Sequence, residues 1–311
     1  MKKKITVVTP TFNENKNVEE VYNRVKNVLK NHDTQILYDH LFIDNASQDG
    51  TQEKLRNLAS NDKNVKVIIN RENYGHIKSP FYAIKQTDSD AVIFLVADLQ
   101  DPPELIDKFI QEWLRGEKLV IGVKEKSEEN SLIFFIRSMY YKLLNYISKE
   151  NLQENFLGFG LFDKDVVNFI KTIEDPEPYL RGLVIESGHK PKQVAYSQNK
   201  RMKNFTKNNF FTLYDLAIIG FTSYSKLPLR MMIFIGFFLG LFSFLSSFVY
   251  LIYKLLFWDE FQLGIAPLLI LFLLFFSIII FFLGIIAEYI LAIHIKLRNR
   301  PLVIEKERIN F

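Results

Sequence analysis

Three short polar stretches in this 311-residue chain have the residue types and the positions to do chemistry. They are Pro10-Thr11-Phe12-Asn13-Glu14, Asp44-Asn45-Ala46-Ser47-Gln48-Asp49-Gly50-Thr51 and Ala97-Asp98-Leu99-Gln100-Asp101-Pro102-Pro103-Glu104, and each directly follows an apolar run. Carboxylates and amides so placed suit hard, oxygen-liganded cations and the phosphates they accompany. Soft-metal and thiol chemistry is excluded, because the chain has no cysteine and therefore no disulfide, thiolate ligand or cysteine nucleophile. Its histidines, His76, His189 and His294 among them, have no partners at metal-ligand spacing and are read as structural. Not every acid in the clusters needs a chemical role. Asp101-Pro102-Pro103-Glu104 has the spacing of a capping box with prolines suited to a first helical turn, so helix initiation stands level with catalysis for Asp101. Asn13 and Glu14 can likewise cap the helix after them.

The elements that must position these clusters follow from periodicity. Residues 5–9, 41–43, 65–69, 91–97 and 119–123 are short apolar runs that predict strands, and Val18, Val21, Val25, Val28 and Leu29 fall at helical spacing between the first two. Strands alternating with helices predict an α/β fold, a mostly parallel sheet with helices on both faces, which binds ligands beyond the carboxyl ends of its strands. The three clusters lie there. Gly158-Phe159-Gly160 lacks the third glycine of a dinucleotide fingerprint and does not follow the first strand, which argues against a dehydrogenase; no P-loop sequence occurs either.

Charge and hydropathy are unevenly spread. The net charge of +4 is too near neutral for a nucleic-acid binder. Residues 231–253 and 263–287 carry no formal charge, and each run exceeds the roughly 20 helical residues that cross a bilayer's hydrocarbon. A short connection makes them a hairpin, with Pro267 tolerated in the first turn of the second span. Lys226 and Arg230 precede it and Lys296, Arg298 and Arg300 follow, whereas the connection holds Lys254 against Asp259 and Glu260. The positive-inside bias then puts both termini in the cytoplasm. Glu288, near the end of the second run, is either a buried functional group or a snorkelling or subunit-contact residue.

In the order of its motifs the chain resembles the family 2 glycosyltransferases with a GT-A fold, and among them the polyprenyl-phosphate glycosyltransferases similar to dolichol-phosphate mannose synthase and bactoprenol glucosyltransferases. The resemblance covers nearly the whole chain. Beyond the three clusters it runs through Asn73-Tyr74-Gly75, Gly122-Val123-Lys124, Gly158-Phe159-Gly160-Leu161-Phe162, Tyr179-Leu180-Arg181-Gly182-Leu183 and Ser225-Lys226-Leu227-Pro228-Leu229-Arg230 to the two apolar spans. It implies a nucleotide-sugar donor, a polyprenyl phosphate acceptor and Mg²⁺ or Mn²⁺. It implies that Asp98 and Gln100 are the metal ligands, although Val96 stands where the family often has a second carboxylate. Asp44 corresponds to the family's base-recognising acid, able to accept the imide proton of uracil, and Asn45 stands where an Asp is more usual. Pro10, Asn13, Glu14, Ser47, Asn73 and Ala97 would complete the nucleotide wall.

For the acceptor the resemblance points to Lys124, in place of a family Arg, and to Arg137 in the amphipathic stretch 132–147. Arg201, Thr206 and Lys207 belong to a basic run, with an apolar stretch after it suited to the headgroup region. Lys124 and Arg137 join Asp98 and Gln100 as candidate catalytic residues. The expected organisation is a cytoplasmic catalytic domain over 1–200, a juxtamembrane segment over 201–230, two transmembrane helices within 231–295 and a cytoplasmic tail over 296–311. A multi-pass protein of the bacterial inner (plasma) membrane, assembled as a homotetramer in the lipid bilayer, is the corresponding whole. The expected reaction is a single inverting transfer, from UDP-glucose or UDP-N-acetylglucosamine. Rival readings are a processive polysaccharide synthase, disfavoured by the missing Gln-x-x-Arg-Trp motif, and a non-catalytic membrane scaffold that keeps the fold.

Overall fold

A computed structural model describes residues 2–124, 156–176, 178–197, 227–257, 265–297 and 300–311. The chain divides into two compact units, one of Met1–Asp215 with Asn299–Phe311 and one of Leu216–Arg298.

In the first unit the described strands are β1 (Lys3–Thr11), β2 (Ile36–Asp44), β3 (Val65–Asn70), β4 (Ala91–Phe94), β5 (Leu119–Lys124), β6 (Phe156–Asp163), β7 (Lys192–Tyr196) and β8 (Glu305–Ile309). They form one sheet in the order β7-β5-β6-β4-β1-β2-β3-β8. Around it lie α1 (Val18–Lys30), α2 (Thr51–Asn61), α3 (Gly75–Lys85), α4 (Leu105–Leu114), α5 (Lys164–Thr172) and α6 (Leu180–Glu186). Successive strand residues serve opposite faces, as the two-residue period of a strand requires. Val7, Ile93 and Val120 pack with α1 and α4 through Val25, Phe109 and Trp113, while Val8, Val92 and Ile121 pack with α3, α5 and α6 through Phe81, Val167 and Val184. The predicted stripe of α1 is buried as expected, from Val18 to Leu29.

The five predicted strands are present, although β4 ends at Phe94 rather than Ala97. The sheet is mixed, with four of its seven described pairings parallel and three antiparallel. β6 runs antiparallel between β4 and β5, and β8 runs antiparallel to β3. β6 escapes a periodicity reading because its middle is Gly158-Phe159-Gly160. A Cβ at Gly160 would lie 2.6 Å from the Val120 carbonyl oxygen, so close packing there needs glycine. β8 lies inside the stretch read as a tail, and its sequence, Glu-Lys-Glu-Arg-Ile, has no apolar run to announce it. It is held by specific polar contacts instead: Arg56 Nη2 donates to Glu307 at 2.8 Å, and Asn310 Nδ2 donates to the carbonyls of Ala59 and Val65 at 2.7 and 2.8 Å.

β1, β2, β3 and β4 run parallel, as do β5 and β7, and β6 opposes both β4 and β5. The carboxyl ends of β1 to β5 and β7 therefore share one sheet edge. The strand order reverses at β1, flanked by β2 and β4, which opens a crevice for ligands there.

The second unit contains α7 (Leu227–Leu256) and α8 (Ile265–Leu297), of 30 and 33 residues. α7 contains the charge-free run 231–253 and α8 contains 265–287 of the second run, and they expose Phe234, Phe237, Phe242, Phe272 and Phe281. At 1.5 Å per residue they are about 45 and 50 Å long. Their side chains are described only in part, and counted over the described residues no helix is long and apolar enough to cross a membrane. The side chain of Glu288 is outside those described.

Candidate active site

The loops after β1 and β2 are stitched into one wall. Asp44 ends β2 with no solvent exposure. It accepts hydrogen bonds from Thr11 Oγ1 at 3.3 Å, Ser47 N at 2.9 Å, Ser47 Oγ at 2.5 Å and Gln52 Nε2 at 3.1 Å. Burial pushes its carboxyl above the ordinary range, and the donors pull against that. Across from it, Asn13 N donates to Ser47 Oγ at 2.8 Å and Gln48 N donates to Asn13 Oδ1 at 2.9 Å. Glu14 N donates to Thr51 Oγ1 at 3.0 Å, and the Glu14 carboxylate accepts from Asn17 Nδ2. Asn13 and Glu14 thus brace the wall; the cap residue of α1 is Asn17, whose side chain makes no cap bond. Pro10 is half-buried in β1 opposite Ile43.

Asn45, read as a nucleotide contact, is tied into the next loop by its side chain. It is buried, with Oδ1 accepting from Tyr74 N at 2.9 Å and Asn70 Nδ2 at 3.0 Å. Its Nδ2 donates to Asn73 Oδ1 at 2.5 Å and to the Gly75 carbonyl at 3.1 Å. One amide therefore anchors the loop 73–75 from both sides, which a carboxylate without N–H donors cannot do. Asn73 lies exposed on that loop.

The third loop, after β4, holds Ala97, buried, then Asp98 and Gln100, both half-buried. Asp98 Oδ1 accepts from Gln100 N at 3.1 Å, the turn contact expected of a strand-end Asp, while the carboxylate remains partly open to solvent. Asp101 does not build a capping box. α4 begins at Leu105 with Glu104 as a cap residue that makes no side-chain cap bond, and Glu104 instead accepts from Arg24 Nη2 and Nε at 2.7 and 2.8 Å. Asp101, 5% exposed, accepts from the Tyr196 hydroxyl at 2.5 Å. Lys124 ends β5 on the same edge, 8% exposed and in register with Tyr196.

A backbone feature marks all three loops. Asn13, Ala46 and Leu99 have φ of 55°, 61° and 59°, and the only other described non-glycine residue with positive φ is Asn310. Such residues cost about 1 to 3 kcal/mol each and persist where surrounding contacts over-determine them, typically at working sites. Arg137, Arg201, Thr206 and Lys207 lie outside the described residues. Among the described residues no three His, Cys, Asp or Glu side chains gather as a metal cage. Sequence reading missed Gln52, Asn70 and Tyr196. Asn70 ends a predicted strand, a position that flags it; Gln52 and Tyr196 join the site through contacts that no local pattern encodes.

The polar clusters thus gather at the switch point of an α/β sheet, the place where such folds bind ligands. Residues 6–170 match the family model Glycosyl transferase family 2. The chain is 31% identical over 307 residues to the bactoprenol glucosyl transferase of Shigella phage SfII, covering 98% of each chain. It is 32% identical over 302 residues to the glycosyltransferase YkcC of Bacillus subtilis strain 168, covering 96% of this chain and 92% of that one. Among solved structures it is similar to glucosyl-3-phosphoglycerate synthase of Mycobacterium tuberculosis, with 17% identity, a TM-score of 0.48 and 70% and 76% of the chains covered. The chain belongs to glycosyl transferase family 2, and the protein is a glycosyltransferase.

Proposed function

We propose that this enzyme transfers one sugar, with inversion, from a nucleotide donor to a polyprenyl phosphate at the cytoplasmic face of the bacterial inner membrane. The observation that carries the reading is the extent of the match to bactoprenol glucosyl transferases, which takes in the two long apolar helices as well as the catalytic unit. The name of those relatives favours glucose, and UDP-glucose is the donor proposed, with UDP-N-acetylglucosamine as the competitor.

The donor set fits a divalent cation. Asp98 and Gln100 offer hard oxygens on a half-open loop, and the lack of an all-protein cage among the described residues suits an ion that completes its shell with substrate phosphates. Mg²⁺ or Mn²⁺ so held would supply charge neutralisation for the departing diphosphate. Asn13, Asp44 and Ser47 would form the rigid wall against which the nucleoside lies. Lys124 would bring a cation to the acceptor phosphate as a point charge. No general base is required, because a phosphate monoester with second pKa near 6 is already mostly a dianion at neutral pH and is its own nucleophile. A sugar or polyprenol hydroxyl would need one.

The test offers labelled UDP-glucose with polyprenyl phosphate or the matching polyprenol under the same conditions. The expected outcome is a single sugar on the phosphate and none on the alcohol. Labelling of the alcohol, or growth beyond one sugar, would refute the reaction class.

A further inference from the structure

The hydrogen bond between Tyr196 and Asp101 joins residues 95 positions apart, on or after two strands that are not neighbours in the sheet. β7 reaches the sheet through β5 alone and ends at Tyr196; Asp101 lies in the loop after β4. Both side chains are almost wholly buried, at 6% and 5% exposure. The ring is seated with care: it meets Phe159 edge-on at 5.9 Å between centroids, and Gly122 is bare beneath it. A Cβ at Gly122 would come within 3.1 Å of Tyr196 Cε1. The loop that Asp101 closes contains Leu99, an αL leucine whose side chain is 3% exposed, so a strained turn and a buried anchor bracket Gln100.

We propose that Tyr196 is a positioning residue for the cation loop, holding Asp101 so that Asp98 and Gln100 keep the arrangement needed for the metal–diphosphate. This rests on the reading of Asp98 and Gln100 as the cation ligands. A turn containing a non-glycine αL residue relaxes unless its neighbours pin it, and on the carboxyl side of Leu99 the Asp101 carboxylate is such a pin. Side chains that orient a ligand-bearing loop typically change metal affinity by about 10- to 100-fold when removed. β7 is also the last described element before the basic run at 200–207. The hydroxyl thus links the cation loop to the strand from which that run departs.

Tyr196→Phe removes the hydroxyl and keeps the ring against Phe159. The experiment measures binding of UDP to the full-length, detergent-solubilised protein as a function of Mn²⁺, with Mn²⁺ followed by electron paramagnetic resonance and folding by thermal unfolding. The wild type is expected to bind UDP in a Mn²⁺-dependent manner; if it does not, the reading of the cation site itself fails. Given that dependence, Tyr196→Phe is expected to raise the half-saturating Mn²⁺ about tenfold, with the turnover deficit recovered at saturating Mn²⁺. On an Asp101→Ala background the same substitution is expected to add nothing. Gly122→Ala, which pushes the ring without touching either polar group, is expected to shift Mn²⁺ dependence in the same direction. A folded Tyr196→Phe or Gly122→Ala protein with wild-type Mn²⁺ dependence would overturn the proposal, as would a full additional loss on the Asp101→Ala background.

Discussion

The residue that ought to separate chemistry from architecture is Asp98. The residue is half-buried, and its Oδ1 accepts a turn bond from Gln100 N, which an amide oxygen can also accept. Asp98→Asn should therefore leave the melting temperature within a few degrees of wild type, since loss of one turn contact costs only about 1 kcal/mol. Transfer should fall by at least about 100-fold, because a charged ligand to the cation is gone. Transfer assays beside thermal unfolding check both halves; substantial turnover with unchanged metal dependence would return Asp98 to a structural role. His40 offers a prediction in the opposite sense. It is buried in β2, its Nε2 is 2.9 Å from Thr9 Oγ1, and burial lowers its pKa from 6.5 to about 3. The folded protein then binds fewer protons than the unfolded one below pH 6.5, and stability falls as pH falls, by about 1.4 kcal/mol per unit. Urea unfolding between pH 7.5 and 5 should show that slope, and His40→Gln should lose most of it. Asp98 was legible from sequence because a strand end, an acid and a turn are all local. The brace at Asn45 and the Tyr196–Asp101 bond were not, because each depends on partners 25 or more residues away.

At the scale of elements, what the sequence announces depends on burial on both faces. β1 to β5 are apolar along most of their length and stand out; β6 is interrupted by glycines and β8 is charged at four of five positions. The edge strand is secured by individual contacts, and Asn310 is the chief of them. Its φ of 61° suits Asn or Gly, and its amide satisfies two carbonyls, of Ala59 and Val65. Asn310→Gly keeps the backbone and deletes both hydrogen bonds, so it should destabilise the catalytic unit by about 1 to 2 kcal/mol. Asn310→Ala should cost more, as it adds αL strain. Chemical denaturation of the two variants orders them; equal stability of wild type and Asn310→Gly would show that β8 contributes little.

For the whole molecule, the chain's return matters most. One compact unit contains both Met1–Asp215 and Asn299–Phe311, and β8 is hydrogen-bonded to β3. A chain that leaves a unit and comes back to it can cross an intervening bilayer only an even number of times, so the proposed membrane enzyme needs both long helices as spans. A reporter fused after Phe311 should therefore behave as cytoplasmic, and a tag within 259–262 should be reachable from outside the inner membrane. A C-terminal reporter found outside would remove the hairpin. There is also a consequence in time. A ribosome translates β8 only after both long helices have been made, so β3 keeps an unpaired row of amides and carbonyls until then. A nascent chain stalled between the helices would present that open edge to other chains and to proteases. Closure of the sheet by Glu305–Ile309 thus marks the polypeptides that have been synthesised past both long helices.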